Sequence, residues 1–168
     1  MRLLKLEENG EISLTKDITY PTTPYAILSH TWGEDDKEVN FEDLKDGFEK
    51  TKDGYRKLHF CREQAARDGL QYFWVDTCCI NKSNSTELSE AINSMFRWYH
   101  KAAKCYAFLT DVSTNAQIDL SLQPWEVAFE NSRWFTRGWT LQELIAPPLV
   151  KFFFSNGNRL GNKKSLKV

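Results

Sequence analysis

Apolar and polar residues along the chain form two alternating patterns. Short runs of aliphatic and aromatic residues, typical of buried strands, cover 25–29, 71–76, 105–109 and 149–154. Between these runs, apolar or small residues recur at every third or fourth position, the spacing of a helix with one buried face, over 55–65, 88–99 and 133–145. Strands that alternate with such helices form parallel sheets covered on both faces. The pattern therefore predicts a flavodoxin-like α/β domain.

The two ends of the chain lie outside this alternation. Apolar patches around Leu4 and Ile12 flank an Asn-Gly turn signal, which predicts a small hairpin within residues 1–24. Residues 25–154 then form the α/β core, and 155–168 form a polar tail. A chain of 168 residues is long enough for one domain with a sizeable core and too short for two ordinary domains. We therefore expect a single domain over 1–168.

Composition excludes several classes of function. Lys and Arg total 22 against 23 for Asp and Glu, so no overall field attracts nucleic acid or an anionic membrane. No apolar run approaches the roughly 20 residues that a membrane-spanning helix needs. The N-terminus becomes acidic at Glu7 and Glu8, before the core of a signal peptide could form. We expect a cytoplasmic protein with no membrane span and no nucleic-acid partner.

The cysteines do not indicate a metal or a disulfide. Cys61, Cys78, Cys79 and Cys105 lack the two-residue spacing of zinc ribbons and redox motifs. Cys61 and Cys105 lie among apolar residues, where a reduced cysteine behaves as a small core residue. We expect structural thiols in a reducing compartment and no bound metal.

Polar side chains follow directly after three of the predicted strands. The carboxyl ends of parallel strands meet at one edge of a sheet, and ligands of open α/β sheets bind at that edge. The sequence therefore predicts a polar cleft there, against the simpler interpretation of solvated loops. The candidate residues at these strand ends are Ser29, His30, Trp32, Asp76, Cys79 and Asp111.

A second candidate feature lies in the third predicted helix. Trp139 and Glu143 are four residues apart and share a helix face. A large ring beside a carboxylate positions it and excludes water, which strengthens its effect on a nearby positive charge. From spacing alone, a core Trp139 and a solvated Glu143 are the more common arrangement. Gly138 marks a point where the helix can break.

Three long segments, in order, resemble the signature blocks of the fungal heterokaryon-incompatibility (HET) domain. They are 25–33 (YAILSHTWG), 74–82 (WVDTCCINK) and 133–143 (RWFTRGWTLQE). The resemblance covers nearly the whole chain and is closest to HET domains at the N-terminus of fungal NLR-like receptors, which carry NACHT and WD-repeat modules. It implies that the chain belongs to a longer receptor and executes programmed cell death during non-self recognition, a form of fungal innate immunity.

The HET family is in turn similar to Toll/interleukin-1 receptor (TIR) domains, which share the flavodoxin-like sheet. In TIR domains that cleave NAD, the catalytic glutamate lies four residues after a Trp, the position of Glu143 behind Trp139. The resemblance thus implies an NAD glycohydrolase that uses NAD as its substrate, needs no cofactor and self-associates for activity. The residues that would contact the substrate are Ser29, His30, Trp32, Asp76, Cys79 and Trp139.

Two other functions stay open at this point. One is a non-catalytic TIR-like module that recruits partners by homotypic contacts. The other is a thiol hydrolase in which Cys79 or Cys78 acts with His30 and Asp76. The first predicts cell death without loss of NAD, and the second predicts inactivation by thiol alkylation.

Overall fold

The computed structural model describes residues 1–18, 22–47, 49–113 and 124–168. Within these ranges, seven strands form one sheet in the spatial order β2-β1-β4-β3-β5-β6-β7. The strands are β1 Leu4–Leu6, β2 Ile12–Leu14, β3 Tyr25–His30, β4 Tyr72–Trp74, β5 Lys104–Phe108, β6 Val150–Phe153 and β7 Arg159–Asn162.

The centre of the sheet is parallel. Strand β3 pairs in parallel with β4 on one side and β5 on the other, and β5 pairs in parallel with β6. Ile27 lies opposite Trp74 and Cys105 in this register. All four predicted strands are confirmed, although β4 ends at Trp74, and the chain then turns into a short helix at Asp76.

Both edges of the sheet are antiparallel, so the sheet as a whole is mixed, with the four predicted parallel strands at its centre. The predicted hairpin is confirmed as β1 and β2, which turn at Gly10 with a φ of 82°, and it extends the sheet beside β4. Residues 19–21 of the predicted N-terminal segment lie outside the described residues. At the other edge, β7 pairs with β6 after a turn at Gly157 with a φ of 83°. The tail therefore carries a strand that its polar sequence does not predict.

The connections between strands are helical. The described α-helices are α1 Phe41–Asp46, α2 Tyr55–Arg67, α3 Asp76–Cys79, α4 Ser85–Lys101, α5 Pro124–Glu130, α6 Thr140–Ile145 and α7 Lys163–Leu166. Short 3-10 turns cover Glu49–Thr51 and Arg133–Thr136. Helices α2 and α4 confirm two of the predicted helices. The third, over 133–145, is wrong as a single helix, because a 3-10 turn and an extended Arg137 precede α6.

Helices cover both faces of the sheet, as the sequence predicts. Neighbouring strand residues point to opposite faces. Phe153 packs against Phe60 of α2 with ring centroids 4.9 Å apart, while Phe152 packs against Trp134 at 5.5 Å. Helix α2 therefore covers one face, and the 133–136 turn covers the other, where α4 and α6 also pack together. No helix among the described residues is both long and apolar enough to cross a membrane.

An ion cluster ties the end of α2 to the sheet. Asp68 accepts hydrogen bonds from Lys151 Nζ at 2.8 Å and Tyr106 Oη at 2.7 Å, and Lys104 Nζ lies 3.0 Å from its carboxylate. Burial alone would raise the pKa of Asp68. The hydrogen bonds from Lys151, Tyr106 and Lys104 outweigh burial, and the pKa of Asp68 lies well below its ordinary value of 3.8.

Asp68→Asn is expected to lower the free energy of unfolding at pH 7 by about 1–3 kcal/mol, because it removes charge-assisted hydrogen bonds. The pKa of Asp68 is lower in the folded chain than in the unfolded one. Its stabilising effect is therefore complete above the unfolded value and decreases as the pH falls below about 4. Urea unfolding at several pH values measures this, with Asp46→Asn on the exposed end of α1 as control. A difference between wild type and Asp68→Asn that stays constant down to about pH 3 would contradict it.

Candidate functional site

A buried carboxylate lies at the carboxyl end of β3. Glu143, in the first turn of α6, is 2% exposed. Ser29 Oγ donates to Glu143 Oε2 at 2.5 Å. The Arg137 guanidinium binds both carboxylate oxygens, with Nη1–Oε2 at 3.0 Å and Nη2–Oε1 at 3.1 Å. Trp134 Nε1 donates to Ser29 Oγ at 2.7 Å, so one hydrogen-bond network holds the carboxylate in place.

The loop that carries this network is fixed by residues far away in the sequence. Asp111, after β5, accepts from Ser132 Oγ and from the Arg133 amide, both at 2.8 Å. Ser132 caps the 3-10 turn by accepting from the Trp134 amide. Thr140 Oγ1 donates to the Trp134 carbonyl, which joins the start of α6 to the same turn. These contacts explain why the chain breaks before α6 and turns the Trp134 ring inward.

The charge of Glu143 affects two buried neighbours. Burial raises the pKa of the Tyr99 phenol and of the Cys105 thiol well above their ordinary values, and the Glu143 charge raises both further. Tyr99 Oη donates to the Leu28 carbonyl at 3.2 Å. Both groups are therefore neutral, and Arg137 supplies the positive charge that compensates the carboxylate.

A second buried carboxylate lies beside the first network. Asp76 begins α3, and its oxygens contact His30 Nε2 at 3.0 Å and accept from Trp32 Nε1 at 2.9 Å. Burial alone would raise the pKa of Asp76. The hydrogen bond and charge of His30, followed by the charges of Arg137 and Lys82, outweigh it, and the pKa lies below its ordinary value.

The two carboxylates form one site. Ser29 and His30 are consecutive residues at the end of β3, and each contacts one of the carboxylates. Arg137 pairs with Glu143 and also acts electrostatically on Asp76. The structure thus brings together five residues that the sequence places in the cleft, and they are Ser29, His30, Trp32, Asp76 and Glu143.

Trp139 takes a different position from the one that a continuous helix predicts. It precedes α6, its carbonyl accepts from the Glu143 amide at 3.2 Å, and its side chain is 42% exposed. The indole in the buried network is that of Trp134. A helix over 133–145 would turn Trp139 toward Glu143, whereas the 3-10 turn and break bring Trp134 and Arg137 there instead. The presence of both residues in the 133–143 segment was the signal that could have found them.

The cysteines are buried thiols without disulfides. Cys79 Sγ accepts from the Val75 amide at 3.4 Å, and Cys78 Sγ donates to the Val75 carbonyl at 3.8 Å. Burial holds the pKa of Cys78 well above its ordinary value, which makes it a poor nucleophile. Among the described residues, no group of three or more His, Cys, Asp or Glu side chains is placed to hold a metal ion.

Comparison with known proteins shows the family of the chain. A family profile described as "Heterokaryon incompatibility protein (HET)" matches residues 25–123, more than half of the chain. The chain belongs to the heterokaryon incompatibility (HET) family. This HET chain is also 59% identical over 168 residues to "Vegetative incompatibility protein HET-E-1" of Podospora anserina. The alignment covers 99% of the HET chain and 12% of that relative. No solved structure matches it.

Proposed function

We propose that this HET domain is a cell-death effector of fungal vegetative incompatibility that hydrolyses NAD at the nicotinamide–ribose bond. The observation that carries the proposal is the buried Glu143 carboxylate, held by Ser29 and Arg137 at the carboxyl edge of the parallel strands. The identity of 59% to a vegetative incompatibility protein supports the biological role.

The sheet order supports a TIR-like, flavodoxin-like arrangement. In chain order the four parallel strands lie as second, first, third and fourth, which is the order of a flavodoxin-like sheet. Ligands of such sheets bind where the chain reverses direction across the sheet, here between β3 and β5. Ser29 lies at the end of β3, and Asp111 fixes the loop of Arg137 after β5. Glu143 is held beside this crevice.

The chemistry needs a negative charge at the ribose. When the bond between C1′ and the nicotinamide nitrogen breaks, both electrons leave with nicotinamide and C1′ becomes oxocarbenium-like. A fixed carboxylate stabilises that positive charge most strongly in the transition state. Water then bonds to C1′ and releases a proton, which gives ADP-ribose. Glu143 supplies the carboxylate, and Ser29 holds it in position.

Substrate access requires a movement of Arg137. Glu143 is 2% exposed and its oxygens pair with the Arg137 guanidinium, whereas the Arg137 side chain is 17% exposed. We propose that Arg137 moves from the carboxylate to the substrate, and that self-association of the domain promotes this change. In the full-length protein, which we propose to be cytoplasmic, NACHT and WD-repeat modules would control assembly. The chain covers 12% of its relative, which leaves room for such modules.

A non-catalytic homotypic module is the second candidate function. Both carboxylate oxygens of Glu143 already accept hydrogen bonds, from Ser29 and Arg137. Helices α4 and α6 pack together and expose four apolar side chains, which are Ile92, Phe96, Leu141 and Ile145. Exposed apolar surface of this kind is typical of protein–protein contacts.

Inducible expression of the chain in a fungal host separates the two candidates. If the domain hydrolyses NAD, cellular NAD falls several-fold before viability falls, and Glu143→Gln prevents both. Glu90→Gln, on the exposed side of α4, is the matched control and retains both effects. Death at an unchanged NAD concentration would contradict the enzymatic proposal and support the homotypic module.

A further inference from the structure

A cleft at the carboxyl ends of β3 and β5 contains charged residues that have no role in the mechanism above. Its volume is about 460 Å³, which lies within the range of small-molecule sites. Residues 31–34 line it after β3, Thr110 lines it after β5, and the start of α2 and Arg133 complete it. The cleft therefore lies between the two strands where the chain reverses direction across the sheet, the place where open α/β sheets bind their ligands.

A buried ammonium group lines this cleft. Lys57 is 5% exposed, and its Nζ donates to the Thr31 carbonyl at 3.0 Å and to the Glu38 carboxylate. An ammonium carries three N–H donors, of which the described residues engage two. The Gly33 amide donates to the same Glu38 carboxylate at 2.6 Å, so the ion pair also fixes the loop after β3 against α2.

A buried hydroxyl beside this ammonium lacks a partner. Thr31 is 9% exposed and lines the cleft, and its Oγ1 has no hydrogen-bond partner in the part of the chain that the structure describes. Because the Thr31 carbonyl accepts from Lys57, the hydroxyl and the ammonium belong to the same corner of the cleft. Buried hydroxyls are nearly always hydrogen-bonded. An acceptor bound in the cleft would satisfy both Thr31 and Lys57.

The charges around the cleft favour an anion. Glu38 is neutralised by Lys57 within the wall. Glu34 forms a second closed pair with Lys37. With these pairs set aside, the cations that line the cleft outnumber the carboxylates, and a negatively charged ligand balances them. The residues that remain are Asp53, Arg56 and Arg133.

Both arginines are placed to reach such a ligand. Arg56 lies in the first turn of α2, which contains no acidic residue. The start of a helix favours anions and disfavours cations, so the stability of α2 does not account for an arginine there. The Arg133 side chain is 69% exposed, and its Nε lies 3.7 Å from Asp111, beyond hydrogen-bond distance. Arginine binds phosphate through two parallel hydrogen bonds, and both side chains can turn to one.

We infer that this cleft binds the diphosphate of NAD, an inference that rests on the proposed function. Arg56 and Arg133 pair with the two phosphates from the rim. The free N–H of Lys57 and the hydroxyl of Thr31 donate to phosphate oxygens from the wall.

The position of the cleft suits the reaction at Glu143. Thr31 follows Ser29 by two residues, about 7 Å along an extended chain. In NAD the diphosphate is one ribose away from C1′. A diphosphate in the cleft therefore directs the nicotinamide ribose toward the carboxylate that Ser29 holds.

Calorimetric titration of the 168-residue chain with ADP-ribose, and separately with inorganic pyrophosphate, tests the site. Arg56→Gln and Arg133→Gln are each expected to weaken the binding of both ligands about fivefold to tenfold, because each removes a charge-assisted contact to phosphate. Adenosine, which carries no phosphate, is expected to leave the affinity for pyrophosphate unchanged. Arg159→Gln, at the exposed start of β7, is the matched control with wild-type affinities.

Thr31→Val separates a ligand contact from a structural one. Because the hydroxyl lacks a partner among the described residues, the valine variant is expected to keep the melting temperature of the wild type while weakening pyrophosphate binding about threefold. A lowered melting temperature with unchanged pyrophosphate affinity would overturn the assignment of Thr31.

Three results would overturn the site as a whole. They are equal pyrophosphate affinity in the wild type and both arginine variants, a loss in Arg159→Gln as large as theirs, and no binding of ADP-ribose at millimolar concentration. ADP-ribose that pyrophosphate does not displace would also overturn it, because the two ligands share only the diphosphate.

These results are distinguishable from a failure of the proposed function. Pyrophosphate binding that depends on Arg56 and Arg133, in a chain that does not cleave NAD, would support the site and contradict the enzymatic proposal. NAD cleavage with an unchanged KM in both arginine variants would support the enzyme and overturn the site.

Discussion

Replacement of Glu143 by Gln is expected to reduce nicotinamide release by the purified chain about 10²–10³-fold. The amide has the same size as the carboxylate and can still accept from Ser29, but it carries no negative charge for the oxocarbenium-like ribose. Arg137, which is partly exposed, can turn toward water when its partner becomes neutral. Chromatographic measurement of nicotinamide at saturating NAD gives the rate.

Two further variants make this comparison specific. Glu90→Gln, which removes an exposed carboxylate from α4, is expected to release nicotinamide at the wild-type rate. Glu143→Asp keeps the charge but shortens its reach, and we expect an intermediate rate. Equal rates for wild type and Glu143→Gln, at equal melting temperatures, would remove Glu143 from the mechanism.

Replacement of Arg137 by Met is expected to lower the free energy of unfolding by about 3–5 kcal/mol, because it leaves a buried carboxylate without its counter-charge. In a Glu143→Gln background the same change is expected to cost less than about 1 kcal/mol, since no charge is left unpaired. Chemical denaturation of the wild type, both single variants and the double variant gives the coupling energy.

The exposed end of α2 supplies the control for this cycle. Arg67→Met is expected to change the free energy of unfolding by an equally small amount in the wild-type and Glu143→Gln backgrounds. If Arg137→Met lowers the free energy of unfolding equally in the wild-type and Glu143→Gln backgrounds, Arg137 stabilises the fold through packing. This result would also weaken the proposal that Arg137 covers the catalytic carboxylate until substrate binds.

The pattern of apolar and polar residues is sufficient to predict the strands and helices that are stabilised by neighbours in sequence. The parallel strands are continuous apolar runs, and α4 combines helical spacing with an Asn84 cap that accepts from the amides of Thr86 and Glu87. The strand-end rule also predicts that Ser29, His30 and Asp76 lie at one edge of the sheet. These features depend on neighbours in sequence and on a general rule of sheet topology.

The segment 133–143 could not be predicted in the same way. The break in this segment depends on Asp111, which is more than twenty residues earlier. The inward orientation of the Trp134 ring depends on Ser29, which is 105 residues earlier. Helical spacing places Trp139 beside Glu143, because spacing depends only on neighbours in sequence and takes no account of hydrogen bonds from other elements. The sequence does not predict strand β7 for a related reason, since pairing with β6 orders a sequence that has no apolar alternation of its own.

The most direct test of the central claim is nicotinamide release by the purified wild-type chain, measured across a series of protein concentrations. We expect nicotinamide and ADP-ribose to appear in equal amounts as NAD disappears, with a rate per molecule that rises with protein concentration. NAD that stays intact at every concentration, in a folded chain, would contradict the enzymatic function and leave the exposed face of α4 and α6 as the functional surface.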